Sequence, residues 1–165
     1  MKRVVIGSFL VSAFATGILA YPKLSNAGTF WARHSHSECN TVAGGADSFI
    51  AGGNELTGAT MILQCRTHDT AAQPRVNVAW VNMHVEDNSP SGQIQAARCV
   101  RYASVPSGNC GTYAKTSASG TGLQLLNPLT FSDWTGADFG YIEVLLPSRS
   151  SSGVSSKLKG YSMGD

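Results

Sequence analysis

Charge is scarce in this chain: Asp, Glu, Lys and Arg make up 13% of the residues, where about 25% is usual. Its polar surface must therefore be built mainly from Ser, Thr, Gly, Asn and Gln. There is no cluster of Lys or Arg, and nucleic-acid binding needs a basic face to displace counterions from phosphates, so that class is set aside. No G-x-S-x-G elbow, H-E-x-x-H pair or Gly-rich phosphate loop is present, which removes the familiar hydrolase, zinc-protease and nucleotide signatures. No stretch sustains an amphipathic pattern for three helical turns, because Gly, Ser, Thr and Asn interrupt each one. Beyond the first twenty residues no segment is apolar enough to cross a membrane.

What the chain does have begins at its start. Met1, Lys2 and Arg3 precede Val4–Ala20, an uncharged stretch rich in Val, Ile, Leu, Phe and Ala. That is the pattern of a secretory signal. Pro22 then breaks any helix, and Ser25 and Ala27 put small side chains where a signal peptidase favours them. Cleavage is expected after Ala27. Cleavage after Ala20 is the second choice, since it would put the bulkier Ile18 where a small side chain is favoured. The rival is an uncleaved anchor, because seventeen residues approach the ~17 to 25 that span a bilayer. Gly7, Ser8, Ser12 and Gly17 weaken that helix. Residues 1–27 are thus read as a signal peptide and 28–165 as one domain, joined to the membrane only through the signal segment if it stays uncleaved.

Removing Lys2, Arg3 and Lys23 leaves nine Lys and Arg against ten Asp and Glu, a net charge of −1 over 138 residues. The apparent basicity belongs to the leader. A domain of this size buries about two thirds of its unfolded surface, enough for a core without a metal. Cys39, Cys65, Cys99 and Cys110 are an even number in an exported chain, so two disulfides are expected in an oxidising, secreted, periplasmic or outer-surface setting. Four cysteines allow three pairings, which the sequence does not settle; loop closure favours nearest neighbours, Cys39 with Cys65 and Cys99 with Cys110. A zinc site is the rival, and no C-x-x-C spacing supports it.

Short apolar runs alternate with turn-rich spacers through the rest. In Ala59–Cys65 the odd positions are apolar, which describes a half-buried strand with Cys65 facing the core. The run Arg75–Glu86 is the strongest, apolar on both faces over much of its length and therefore expected to be central, with Trp80 in the core. It stops at the turn cluster Asp87–Gly92. A strand over Ile94–Ala103 and a turn through Pro106–Asn109 read as a hairpin clipped by Cys99 and Cys110. Cys99 shares its face with Gln95 and Arg101, while Ile94, Val100 and Tyr102 take the other, so a bulge or an edge position is expected there. Gly122–Asn127, Phe139–Leu146 and Val154–Met163 follow as strands, with Ile142, Val144 and Leu146 as an inner face and Ser148–Gly153 as a surface loop. The fold class expected is all-β, a two-sheet β-sandwich of jelly-roll or Ig-like kind with two disulfides, after an N-terminal signal helix.

Taken in order, these segments resemble a group of small exported, β-rich, cysteine-containing bacterial proteins without assigned function, abundant in myxobacteria-like lineages. The resemblance is carried by Ser37-Glu38-Cys39-Asn40, by Met61–Cys65 and Val76–Asp87, by Ala97–Val100, and by Tyr141–Pro147 with Gly160 and Tyr161. It implies export and a sandwich architecture, with no catalytic residues to transfer. This chain departs from the group where a fourth cysteine would stand in the last apolar strand: it has Val144 and Leu145, so the second disulfide must use Cys110.

Candidate sites are few. His34 and His36 would share one face of a strand and could share a metal, but spacing nominates no third ligand, so a polar strand near the mature start is the favoured reading. Glu86, Asp87 and Asn88, or Asp133 with Asp138, lack the calcium-loop pattern and are read as turn residues. No cofactor or metal site is expected. Trp134, flanked by Asp133 and Thr135 in a turn, and Trp31, near the mature start, are the candidates for exposed rings that stack on sugars. The leading expectation is a non-catalytic structural or interaction protein of the envelope or extracellular space, with an envelope or matrix component or a glycan as partner. A carbohydrate-binding module using exposed aromatics is the alternative. A secreted hydrolase is the second, and it requires a Ser or carboxylate within reach of a His in a cleft.

Overall fold

Residues 31–45, 49–67, 77–90, 92–104, 107–118, 121–135, 139–150 and 152–165 are described by a computed structural model of the chain. The expected leader lies outside them, as do His68, Arg75, Val76 and Asp138. Alternation of side chains sets the architecture. Strand β11 (Phe139–Leu146) buries Ile142, Val144 and Leu146 and turns Tyr141, Glu143 and Leu145 outward, as its period of two requires. Strand β5 (Met61–Arg66) does the same with Met61, Leu63 and Cys65, and pairs antiparallel with β11 so that Leu63 meets Val144 and Cys65 meets Ile142. Equal periods in register give one continuous apolar face.

On the far side of β11 lies β7 (Gln95–Arg101), followed by β8 (Gly108–Cys110) and β9 (Ala114–Lys115), which pair with successive parts of it. Beyond β5 lies β2 (Cys39–Ala43). These strands form sheet B. Sheet A is ordered around β12 (Lys157–Gly164), with β6 (Trp80–Asp87) and then β10 (Gly122–Leu126) on one side. On the other side stand β1 (Trp31–Ser35) and the short pair β3 (Phe49–Ile50) and β4 (Gly53–Asn54). Following β1, β5, β6, β7, β8, β10, β11 and β12, the sheets read β1-β12-β6-β10 and β5-β11-β7-β8. That is the strand order of a jelly roll, the first of the two sandwich types expected.

The inner faces meet in one apolar core. Val81, Met83, Val85, Leu158, Tyr161 and Met163 from sheet A join Met61, Leu63, Ile94, Ile142, Val144 and Leu146 from sheet B. Each such side chain contributes about 1.5 to 3 kcal/mol on leaving water. Where β1 crosses β12 the backbones approach so closely that a Cβ at Gly160 would lie 2.4 Å from the His34 carbonyl oxygen. The register of β12 against β6 shifts at the same place, between Leu158 and Gly160, so only glycine fits the step.

Several expectations are corrected here. The long strand starts at Trp80, five residues later than Arg75, and it alternates: Val81, Met83, Val85 and Asp87 are buried while His84 is exposed. It has two strand neighbours, but only one face in the core. Trp80 falls on the other face and is half-buried, because the period carries it there. No bulge is needed in β7, whose register against β11 is continuous. Cys99 points outward with Gln95 and Arg101, and Arg98 takes the inner face. The polar strand expected at His34 is present as β1, which ends at Ser35, while β2 was not foreseen, since its polar composition gives no apolar stripe.

Both disulfides follow the nearest-neighbour pairing. Cys39 is bonded to Cys65 and Cys99 to Cys110, each pair directly opposite in its ladder with Cα atoms 4.0 Å apart. Sheet B is thus cross-linked at both sides, β2 to β5 and β8 to β7.

Candidate recognition surface

The outward side of sheet B carries amides, a carboxylate, guanidinium groups and phenols, and its layout follows from register. Asn40 stands opposite Gln64, Gln64 opposite Glu143, and Glu143 opposite Ala97. One step along the strands, Arg66 stands opposite Tyr141, Tyr141 opposite Cys99, and Cys99 opposite Cys110. Two adjacent rows therefore carry amides and a carboxylate in one, and a guanidinium, a phenol and a disulfide in the other.

Neighbouring side chains order these rows. The Tyr113 hydroxyl donates to Glu143 Oε1, fixing the carboxylate. The Arg101 guanidinium lies over the Tyr141 ring, 5.9 Å from its centre, a cation–π distance. The Tyr141 hydroxyl reaches across β7 to within 3.6 Å of where a side chain at Gly108 would begin. Thr67 donates its hydroxyl to the Gly140 carbonyl at 2.7 Å. Burial raises the pKa of Tyr113, reinforced by its bond to Glu143, and burial also raises that of Tyr141 against the opposing pull of Arg101. Both phenols are neutral and can donate. Between Asn40, Gln64, Arg66, Thr67 and Tyr141 lies an open groove of about 230 Å³.

Trp134 is not part of any such surface. Its turn, a 3₁₀ segment over Ser132–Thr135, folds the ring inward until it is fully buried. The reason is Arg98, which is also fully buried and whose guanidinium lies 5.3 Å from the centre of the indole. Arg98 donates to the carbonyls of Pro128 at 2.9 Å, Val78 at 2.9 Å and Ala79 at 3.0 Å. An enclosed ring offers no face to a sugar, so the expected exposure of Trp134 is corrected. Trp31 heads β1, and its side chain lies outside the described residues.

The titratable candidates separate. His34 is on β1 and stacks on Tyr161 with ring centres 4.6 Å apart, its Nδ1 2.6 Å from Glu38 Oε2, whereas His36 opens a 3₁₀ turn. They do not share a strand face. Asp87 is buried and accepts from the Ser89 N–H, from the Ser156 hydroxyl and from the Thr116 hydroxyl. Glu86 pairs with Lys159 at 2.5 Å, and that bond lowers its pKa. Asp133 accepts from Tyr102 at 2.6 Å, Asn109 at 2.9 Å and Ser132 at 3.1 Å. The one metal-sized grouping among the described residues, Cys99, Cys110 and Glu143, has both sulfurs in a disulfide. His84 Nε2 and Ser162 Oγ form a long hydrogen bond at 3.4 Å.

No known protein family, curated protein or solved structure matches the chain. The surface must be read on its own chemistry. Its residues were within reach of the sequence in one respect, since the period that sends Ile142 and Val144 inward sends Tyr141 and Glu143 outward. What the sequence lacks is the cross-strand register that brings Arg66, Gln64 and Asn40 beside them.

Proposed function

We propose that this protein is an exported, non-catalytic binding protein that works in an oxidising compartment, secreted or periplasmic, and holds a glycan or other envelope or matrix component on the outer face of sheet B. The observation that carries this reading is a polar and aromatic platform, Asn40, Gln64, Glu143, Arg66 and Tyr141, on a sheet cross-linked at both sides. Disulfides in each outer ladder keep the rows in place before any ligand arrives, and a preorganised surface loses less entropy on binding. The two disulfides are themselves consistent with an oxidising, extracytoplasmic location. Exposed apolar side chains occur on both sheets: Phe139 lies on this same face, opposite Arg101, while Leu123 and Leu125 lie on β10 of the opposite sheet, across from Glu86 and His84.

The test is cosedimentation of the folded domain with insoluble envelope and matrix polysaccharide, beside a hydrolytic substrate panel. Retention by the wild type, loss of retention in Tyr141→Ala and no turnover are the expected results. Turnover on the panel, or equal retention of Tyr141→Ala, would overturn the reading.

A further inference from the structure

The charges on the outer face of sheet B are unevenly divided. Arg66 and Arg101 are both exposed and lie on either side of Tyr141, one directly opposite it on β5 and the other over its ring from β7. Lys115 joins them on the same face, opposite Gln95. Against these three cations the strands of the sheet present one carboxylate on that face, Glu143, and the Tyr113 hydroxyl engages it. Arg66 and Arg101 place two cations beside the Tyr141 ring, and Lys115 stands farther along the same face, in the row of Gln95 and Leu145.

We infer that the groove beside Tyr141 binds a saccharide chain bearing carboxylates, a uronate-containing glycan, with the ligand's carboxylate directed to Arg66 and Arg101 and its hydroxyls to Asn40, Gln64 and Glu143. The inference rests on the binding reading above and names its ligand class. Guanidinium groups recognise planar carboxylates through paired N–H donors. The amides of Asn40 and Gln64 both donate and accept, which suits vicinal hydroxyls. The Tyr141 ring supplies an apolar wall for a sugar's C–H face. Glu143 repels a second carboxylate and so fixes which way the ligand points. The groove is smaller than the ~300 Å³ at which small-molecule pockets begin and is open, which suits one ring of a polymer laid across the sheet.

The experiment is calorimetric titration of the oxidised domain with polygalacturonate and with hyaluronate. The controls are fully methyl-esterified polygalacturonate, which keeps the backbone and loses the charge, and dextran sulfate. The expected result is binding of a uronate polymer, at least tenfold weaker binding of the esterified one, and a loss of roughly tenfold or more in each of Arg66→Gln and Arg101→Gln, the scale of one charge-assisted hydrogen bond. Near-ultraviolet circular dichroism and a count of free thiols establish that the variants are folded and oxidised. Equal binding of the esterified polymer, preference for dextran sulfate, or unchanged affinity in both arginine variants would overturn the inference. So would no binding of either uronate polymer. If envelope material is nonetheless retained in a Tyr141-dependent way, the binding reading stands and only the ligand class falls; if nothing is retained, both fall.

Discussion

Arg98 is the residue on which the closed end of the sandwich turns. Burial lowers its pKa to about 10, so it remains a cation at neutral pH, satisfied by three backbone carbonyls and roofed by Trp134. Replacing it with Met keeps the volume and orphans those carbonyls, which is expected to cost about 3 kcal/mol or more. Urea denaturation followed by fluorescence measures it. Lys is expected to restore little, because one ammonium cannot match a planar fork aimed at three acceptors.

Asp133 holds the same turn from outside. Its pKa lies below the ordinary carboxylate value, first because Tyr102 donates to it and then because Asn109 and Ser132 do. A carboxylate so depressed adds stability that is complete above its unfolded pKa, near ~4, and that disappears as the pH falls through the folded value. Wild type and Asp133→Asn are therefore expected to differ in urea midpoint at pH 6 and to converge toward pH 2. A gap that persists unchanged at pH 2 would remove the carboxylate from this role. Neither role was visible in the sequence: an Arg between Ala97 and Cys99 looks solvated, and a Trp between Asp133 and Thr135 looks exposed, until tertiary packing pairs them.

At the level of elements, legibility followed periodicity. Phe139–Leu146 carries a clean two-residue alternation and folds as read, with Ile142, Val144 and Leu146 inward, whereas the strand read over Ala59–Cys65 begins only at Met61 and leaves Ala59 exposed. The run before Glu86 misled because Val76, Val78 and Trp80 imitate a second apolar face, whereas the ladder starts only at Trp80. The polar strands β1 and β2 carry no stripe, and what identifies them is pairing with Gly160–Gly164 and with β5. Elements also differ in what their cross-links contribute. Closing a separation of 26 residues, Cys39–Cys65 restricts the unfolded chain by roughly 3.5 kcal/mol, and Cys99–Cys110, closing 11, by roughly 2.8 kcal/mol. Paired Cys→Ser replacements are expected to lose stability in that order. Losing Cys99–Cys110 should in addition loosen β8 and weaken any ligand held beside Tyr141, which binding assays on the refolded variant can read.

Across the whole molecule the phenols report the state of the fold. Among the described residues the tyrosines are Tyr102, Tyr113, Tyr141 and Tyr161, and each has its pKa raised. Bonding to Asp133 is the main cause at Tyr102, and burial is at the other three. Groups raised in this way stabilise the fold fully below their unfolded pKa, near ~10, and progressively less as pH climbs toward the folded values. Tyrosinate absorbance is thus expected to stay low up to pH 10 and then to rise together with unfolding. A phenol titrating near 10 in the folded protein would contradict the packing described for it. The sandwich itself and its two disulfides were legible from composition, cysteine count and strand spacing, while the pairing of the cysteines was fixed only by the ladders that set Cys39 opposite Cys65 and Cys99 opposite Cys110. The platform was not, because it is a property of register between β2, β5, β11 and β7.

The central claim, that the outer face of sheet B is where this protein meets its ligand, is tested most directly by amide chemical-shift mapping of the oxidised domain during titration with soluble glycan released from envelope and matrix. The shifts are expected to concentrate at Asn40, Gln64, Arg66, Tyr141 and Glu143. Shifts confined to sheet A around Leu123 and Leu125, or none at saturating glycan, would contradict it.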